Sequence, residues 1–343
     1  MTILKGLIMF LQGKHVLSIE QFDLSHIREL FTTAEKLEDV AKGKVTTRLL
    51  NGAILANMFF EASTRTRMSF HSAFSRLGGD ICDTTGFSFS SISKGESLAD
   101  TARVISEYAD VIVMRHPEKG AVASFAEHAK VPVINGGDGP GEHPTQALLD
   151  LYTIRREFQK KGKHVGGSTI AMTGDLKNGR TVHSLAKLLS LFDDMTFHFV
   201  SPNELPMPAY IIEMLQEAGH TVKIFTHPER GIQQADVVYC TRIQLERFPN
   251  EEATNIDSLF HIDKALIHGS AKAETIILHP LPRDTREGAF DLTTDLDDDP
   301  RLKIFTQAAN GIPVRMALFV HCLGLENEVG KDFKPSKWAA IKH

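Results

Sequence analysis

Cysteine is scarce in this chain: Cys82, Cys240 and Cys322 are the only three among 343 residues. No two of them form a C-x-x-C pair and the number is odd. A disulfide framework or a structural zinc site is therefore not expected, and free thiols in a reducing compartment are. Long apolar runs are missing too, since none approaches the ~18 residues a membrane span needs. The N-terminal run Ile3–Leu11 is broken by Lys5, and no small-residue cleavage site follows it. It reads as a lead-in to the first domain, and a cytoplasmic protein is expected. Positive charge is not in excess, with 38 Lys and Arg against 43 Asp and Glu. Without a basic cluster there is no reason to expect a nucleic-acid surface, and any anion site has to be local. Internal repeats and low-complexity segments are also absent.

What is present is an ordinary globular composition, 42% hydrophobic and 24% charged, in a chain long enough for two domains with separate cores. Apolar runs fit for buried strands stand at Ile54–Phe60, Val111–Met114, Val131–Ile134, Thr169–Met172, Thr196–Val200, Val222–Phe225, Val237–Cys240 and Ile276–Leu278. Helical spacing appears between several of them: Leu24–Val40 with Asp23 or Ser25 as cap, a helix from Ser63 to the Gly78–Gly79 stop, Ser124–Ala129, a long helix from Pro144, Val182–Leu191 and Ala209–Ala218. Strand–helix alternation with nearly continuous apolar strands implies parallel sheets covered on both faces, that is, an α/β protein. The domain junction is expected within Gly136–Gly167. In such open sheets ligands sit at the carboxyl ends of the strands, so polar clusters just after strands are the place to look.

One such cluster, Ser63-Thr64-Arg65-Thr66-Arg67, follows a buried strand and opens a helix. Unpaired N–H groups and the helix dipole favour an anion there, and guanidinium groups add charged hydrogen bonds, so phosphate is the expected ligand. A capped helix with solvated arginines would show the same string. His143-Pro144-Thr145-Gln146 opens the next long helix; His143 and Gln146, three apart, can serve a planar group carrying C=O and NH2. Gly174–Thr181 lies between a strand and a helix and is a near miss to a nucleotide P-loop, with Arg180 where lysine would stand. Arg180 could equally grip a carboxylate. Thr241-Arg242-Ile243-Gln244 follows another strand. In His279-Pro280-Leu281-Pro282-Arg283 two prolines fix a turn that can present backbone carbonyls to an amide or ammonium group; either X-Pro bond is a candidate for cis. The polar loop Ser90–Glu96 carries Lys94, able to reach a phosphate, though a solvated loop reads the same way.

Taken together, Ser63-Thr64-Arg65-Thr66-Arg67, His143-Pro144-Thr145-Gln146 and His279-Pro280-Leu281-Pro282-Arg283, in that order, resemble the aspartate carbamoyltransferase catalytic chains of the aspartate/ornithine carbamoyltransferase superfamily. The resemblance runs from about His15 to about Leu323. It implies two doubly wound parallel-sheet domains with an active-site cleft between them. Residues 1–148 would bind carbamoyl phosphate, 149–303 would bind aspartate, and 304–343 would form a C-terminal helix returning to the first domain plus a tail. It implies that Ser63, Thr64, Arg65 and Thr66 hold the phosphate and that Arg115 touches phosphate and carbonyl oxygen. His143 then serves the carbonyl, and Gln146 with the Pro280 and Leu281 carbonyls serves the NH2. Aspartate falls to Arg180, Arg242 and Gln244 with Lys94 and Leu281. Ser90 and Lys94 match residues that enter a neighbouring subunit's site, which implies a homotrimer. Some members also associate with regulatory chains or a dihydroorotase, and nothing in the sequence selects among these.

The reaction so implied carries the carbamoyl group of carbamoyl phosphate to the amine of L-aspartate, a step of pyrimidine biosynthesis, with no cofactor, no metal and no covalent intermediate. Arg65, Thr66, Arg115 and His143 would be the catalytic set, and phosphate itself the acceptor of the amine proton. The sister enzyme, ornithine carbamoyltransferase, is the alternative; it typically has His-Cys-Leu-Pro where this chain has His279-Pro280-Leu281-Pro282. The positive charges of Arg180, Arg242 and Arg283 suit a dicarboxylate better than a cationic amine. A nucleotide-binding protein built on Gly174–Thr181 is the reading from a different class.

Overall fold

The computed structural model describes residues 10–86, 95–242, 260–284 and 291–338. Ser90, Lys94 and Gln244 lie outside the described residues, as does most of the Ile3–Leu11 run. The chain divides into two compact units, residues 1–145 with 311–343, and residues 146–310.

The first unit is built on a four-stranded parallel sheet in the order Asp80–Thr85, Ile54–Phe59, Val111–His116, Val133–Asp138. The two central strands are apolar and buried along almost their whole length, as strands covered by helices on both faces must be. From Ile54–Phe59 the chain moves outward to the Asp80–Thr85 edge, then returns to the other side at Val111–His116. The connections diverge between those two central strands, and at such a switch point a crevice opens beyond the carboxyl ends. Phe59 and Arg115 are register partners at that end.

The Thr64–Arg76 helix follows the first of these strands and buries Phe70, Ala73 and Phe74. Part of its cover comes from the far end of the sequence. The Ile304–Cys322 helix sets Phe319 edge-on against Phe74, with centroids 4.9 Å apart, and against Phe70 at 5.9 Å. Arg315 from the same helix lies 4.8 Å over the Phe70 ring and donates to Ser69 Oγ at 2.8 Å. Each buried aromatic is worth about 1.5–3 kcal/mol, so the helix whose first turn meets the crevice is firmly held.

The second unit repeats the scheme with five parallel strands in the order Ile276–Leu278, Val237–Cys240, Thr169–Thr173, Thr196–Val200, Thr221–Phe225. Its first strand, Thr169–Thr173, is central. Two strands follow on one side and two on the other, so the switch point lies between Thr169–Thr173 and Val237–Cys240. One core of this unit joins Ala171, Val238, Cys240, Ile277 and Ile304.

Several elements depart from the sequence expectation. The Asp80–Thr85 strand has no apolar run to announce it; as an edge strand it needs only one hydrogen-bonded neighbour. Val133–Asp138 continues through Gly136 and Gly137, past the Val131–Ile134 run expected from the sequence. The first helix, capped by Asp23 accepting from the His26 N–H at 2.8 Å, ends at Lys36, and Glu38–Ala41 forms a separate short helix. Among the described residues no helix is long and apolar enough to cross a membrane.

Candidate active site

In the first unit the candidate residues gather at the switch point. Ser63 is the N-cap of the Thr64–Arg76 helix, with extended backbone (φ −160°, ψ 93°), yet its hydroxyl makes no capping bond. The α-helix N-caps Asp23, Ser97 and Asp263, whose side chains can accept as that of Ser63 can, each accept a first-turn N–H. The helix start at Ser63 thus keeps its N–H donors for something other than its own cap, which is the local requirement for binding an anion. Thr66, on that turn, is buried. Arg67 turns aside, 4.0 Å from Asp83 on the edge strand.

Arg115 stands at the end of the Val111–His116 strand and is only 7% exposed. A buried guanidinium needs partners, and it has them: Nε donates to Glu61 Oε2 at 3.0 Å and Nη1 to the Gly136 carbonyl at 3.3 Å. Its fork is therefore fixed in orientation. Arg65 lies close enough for its own guanidinium to be pulled below the usual arginine range, first by partial burial and then by the charge of Arg115. Two cations held near each other, beside open helix N–H groups, form a site that an anion relieves.

Gly137 shows how closely the third group approaches. Its φ is +120°, and a Cβ there would fall 3.1 Å from Arg115 Nη1 and 3.6 Å from His143 Cδ2. The missing side chain lets Arg115 and the buried His143 flank one stretch of backbone. Arg65, Arg115, His143, Thr66 and the Ser63 helix start are thus brought together within one unit.

In the second unit the candidates also stand just after strands. Gly174 (φ +113°) ends the Thr169–Thr173 strand; a Cβ there would fall 2.2 Å from the Thr241 carbonyl oxygen. The loops after Thr173 and Cys240 therefore touch. Asp175 Oδ1 accepts the Asn178 N–H at 2.9 Å, turning the first loop into the helix that opens at Arg180. Arg242, half-buried, lies 3.7 Å from Asp284. The third loop carries the only non-proline turn residue of its block with positive φ, Leu281 at +58°, and its cis bond is Leu281–Pro282.

Arg283 corrects one expectation. It was counted among the charges that suit a dicarboxylate, but its guanidinium meets both carboxylate oxygens of Asp297, at 2.7 and 3.0 Å. Its charge is matched inside the protein. Residues that the sequence did not single out support the candidates within each unit: Glu61 and Gly137 in the first, and Asp150, Gln307 and Asp291 in the second. Gln146 Nε2 donates to Asp150 Oδ1 at 2.8 Å; this i, i+4 pair on one helix was the available signal. Among the described residues no group of three or more His, Cys, Asp or Glu is placed to hold a metal ion.

Comparison with known proteins fits this geometry. Residues 14–156 match the family model described as aspartate/ornithine carbamoyltransferase, carbamoyl-P binding domain, and residues 166–322 match the Asp/Orn binding domain. The chain is 56% identical over 330 residues to the aspartate carbamoyltransferase catalytic subunit of Dichelobacter nodosus, covering 96% of this chain and 95% of that one. It is 54% identical to the catalytic subunit of Cellvibrio japonicus, with 95% and 97% covered. Among solved structures, Trypanosoma cruzi aspartate transcarbamoylase in complex with carbamoyl phosphate and aspartate superposes with TM-score 0.82 at 40% identity, covering 92% and 98%. The catalytic subunit of M. jannaschii aspartate transcarbamoylase gives 0.83 at 44%, covering 92% and 99%.

Proposed function

The chain belongs to the aspartate/ornithine carbamoyltransferase family, and from that premise we propose that it transfers the carbamoyl group of carbamoyl phosphate to the amine of L-aspartate, giving N-carbamoyl-L-aspartate and phosphate in pyrimidine biosynthesis. The observation that carries this reading is the convergence of Arg65, Arg115 and His143 on a helix start that its own Ser63 hydroxyl leaves uncapped. Ser63, Thr64, Arg65 and Thr66 hold the phosphate of the donor. Arg115 reaches phosphate and carbonyl oxygen, and His143 donates to the carbonyl. Gln146 and the Pro280 and Leu281 carbonyls accept from the NH2. Arg180, Arg242 and Gln244 hold the carboxylates of aspartate.

The amine nitrogen of aspartate bonds to the carbonyl carbon, the carbon–oxygen bond to phosphate breaks, and a phosphate oxygen takes the amine proton. No side chain serves as a covalent nucleophile in this scheme. The rate comes from orientation, worth about 7–11 kcal/mol for two well-placed reactants, and from donors aimed at the developing oxyanion, each worth about 10²–10³ in turnover. The working form is a cytoplasmic homotrimer in which Ser90 and Lys94 of a neighbouring copy serve each site. Three free thiols, two of them buried, suit a reducing compartment.

Thermal unfolding with added ligand tests the donor assignment. Carbamoyl phosphate at a hundred times its Kd should add about 2.7 kcal/mol of apparent stability, with ATP giving a smaller shift. A larger shift with ATP would move the assignment to the Gly174–Thr181 loop. Sedimentation at three times the 38.0 kDa chain mass is expected for the assembly, and a lone monomer would contradict it.

A further inference from the structure

Asp150 is a carboxylate in the middle of a helix with no solvent exposure at all. Three neutral donors converge on it: Gln146 Nε2 at 2.8 Å, Gln307 Nε2 at 2.6 Å and the Tyr239 hydroxyl at 2.7 Å. Burial, and then the charge of Asp150, hold the Tyr239 hydroxyl well above its ordinary value, so it stays protonated as a donor. An ionised carboxylate only accepts hydrogen bonds. Both glutamines must therefore turn their NH2 ends toward it, which fixes each amide oxygen on the opposite side. For Gln307 that oxygen accepts the His279 backbone N–H at 2.9 Å.

The line continues from His279. Its Nδ1 accepts the Leu281 N–H at 2.8 Å, so the ring proton sits on Nε2, which meets Asp291 Oδ2 at 2.8 Å. His279 and Asp291 are both buried. The Leu281 backbone, in the left-handed region at φ +58°, is thus tied through a fixed histidine tautomer to a buried carboxylate. Positive φ is costly for a branched side chain and persists only where its surroundings impose it.

We propose that Asp150, Gln307, His279 and Asp291 form one buried positioning chain that makes the second unit selective for a donor bearing NH2. It does so by setting two sets of acceptors in a common frame, Gln146 Oε1 and the Pro280 and Leu281 carbonyls. The inference rests on the assignment of those acceptors to the carbamoyl NH2. A site built from buried, pre-oriented acceptors rejects a ligand that brings no donor, because the acceptors are then left unpaired. None of the four chain members needs to touch the substrate side chain to side chain; they act through Gln146 and the turn.

The probe is acetyl phosphate, which carries CH3 where carbamoyl phosphate carries NH2. Discrimination is read as the Ki of acetyl phosphate relative to the KM of carbamoyl phosphate, on the full-length protein at fixed aspartate. Gln146→Met removes the acceptor itself and should lower discrimination at least tenfold; unchanged discrimination would overturn the acceptor assignment and the inference with it. Asp150→Asn keeps the shape but removes the charge that both glutamine NH2 groups serve at Oδ1 and puts an NH2 in place of one oxygen, so Gln146 is no longer held in one orientation. It should lower discrimination at least tenfold while the Ki of acetyl phosphate stays within twofold. If Gln146→Met collapses discrimination and Asp150→Asn does not, the positioning role fails while the acceptor assignment stands. If Asp150→Asn raises both constants alike, the residue is only packing, and the inference also fails. Should Asp150→Asn not fold, Gln307→Met carries the test, with the same loss expected; retained discrimination overturns the proposal.

Discussion

Arg115 Nε donates to Glu61 Oε2 over 3.0 Å, a buried guanidinium steered by a carboxylate two residues past the end of the neighbouring strand. A charged hydrogen bond of this kind is worth about 1.5–3 kcal/mol, and here it orients rather than binds. Glu61→Gln should lower kcat/KM for carbamoyl phosphate by about tenfold, while Arg115→Met, which removes the donor itself, should cost about 10²–10³. Steady-state kinetics on both variants decide it. A Glu61→Gln enzyme within twofold of the parent would show that Arg115 needs no steering.

Gly137→Ala places a Cβ 3.1 Å from Arg115 Nη1 on a backbone at φ +120°. The strain costs about 1–3 kcal/mol of stability, and the contact displaces the guanidinium. Turnover should fall by more than tenfold with the fold intact by circular dichroism. An unfolding midpoint that drops while turnover holds would separate the glycine from the site.

Arg315→Met tests the support beneath the Thr64–Arg76 helix. The variant loses the 2.8 Å bond to Ser69 and the guanidinium over Phe70 while keeping apolar bulk. A loss of about 2–3 kcal/mol is expected by chemical denaturation, since breaking a buried charged contact is among the larger single-site effects. A change below about 0.5 kcal/mol, the level of a surface substitution, would contradict the role.

Much of this was legible in advance because parallel strands covered on both faces have to be apolar. Val111–Met114 and Val237–Cys240 announce themselves for that reason. The candidate residues stand just after them because strand ends are where a crevice opens in such sheets. Asp80–Thr85 was not legible: Asp80, Asp83 and Thr84 give an edge strand no apolar signature. The helix Leu98–Ile105 was missed as well, short and capped by Ser97 accepting from the Asp100 N–H. The supports of the site were hidden for another reason. Gln307 meets Asp150 across 157 residues of sequence, and no local pattern encodes such a pairing. Arg283 misled because a guanidinium looks the same in sequence whether it faces a ligand or Asp297.

Burial pulls the His321 imidazole from its ordinary 6.5 down to about 4, with Glu326 Oε1 2.8 Å from its Nδ1. Between those pH values the unfolded chain takes up a proton that the folded chain refuses. The contribution is therefore full above pH 6.5 and is lost as pH falls toward 4. The loss attributable to His321 is about 3 kcal/mol. Denaturation of the parent and of His321→Gln at pH 7 and pH 4.5 measures it. The parent should lose more stability than the variant, and parallel losses would refute the assignment.

The most direct measurement supplies the purified protein with carbamoyl phosphate and either L-aspartate or L-ornithine and quantifies carbamoylated amine and phosphate together. One N-carbamoyl-L-aspartate per phosphate released, with no carbamoyl-ornithine, is the result that the proposed assignment of Arg180 and Arg242 to the carboxylates of aspartate predicts. Carbamoylation of ornithine, or phosphate release without any carbamoylated amine, would contradict it.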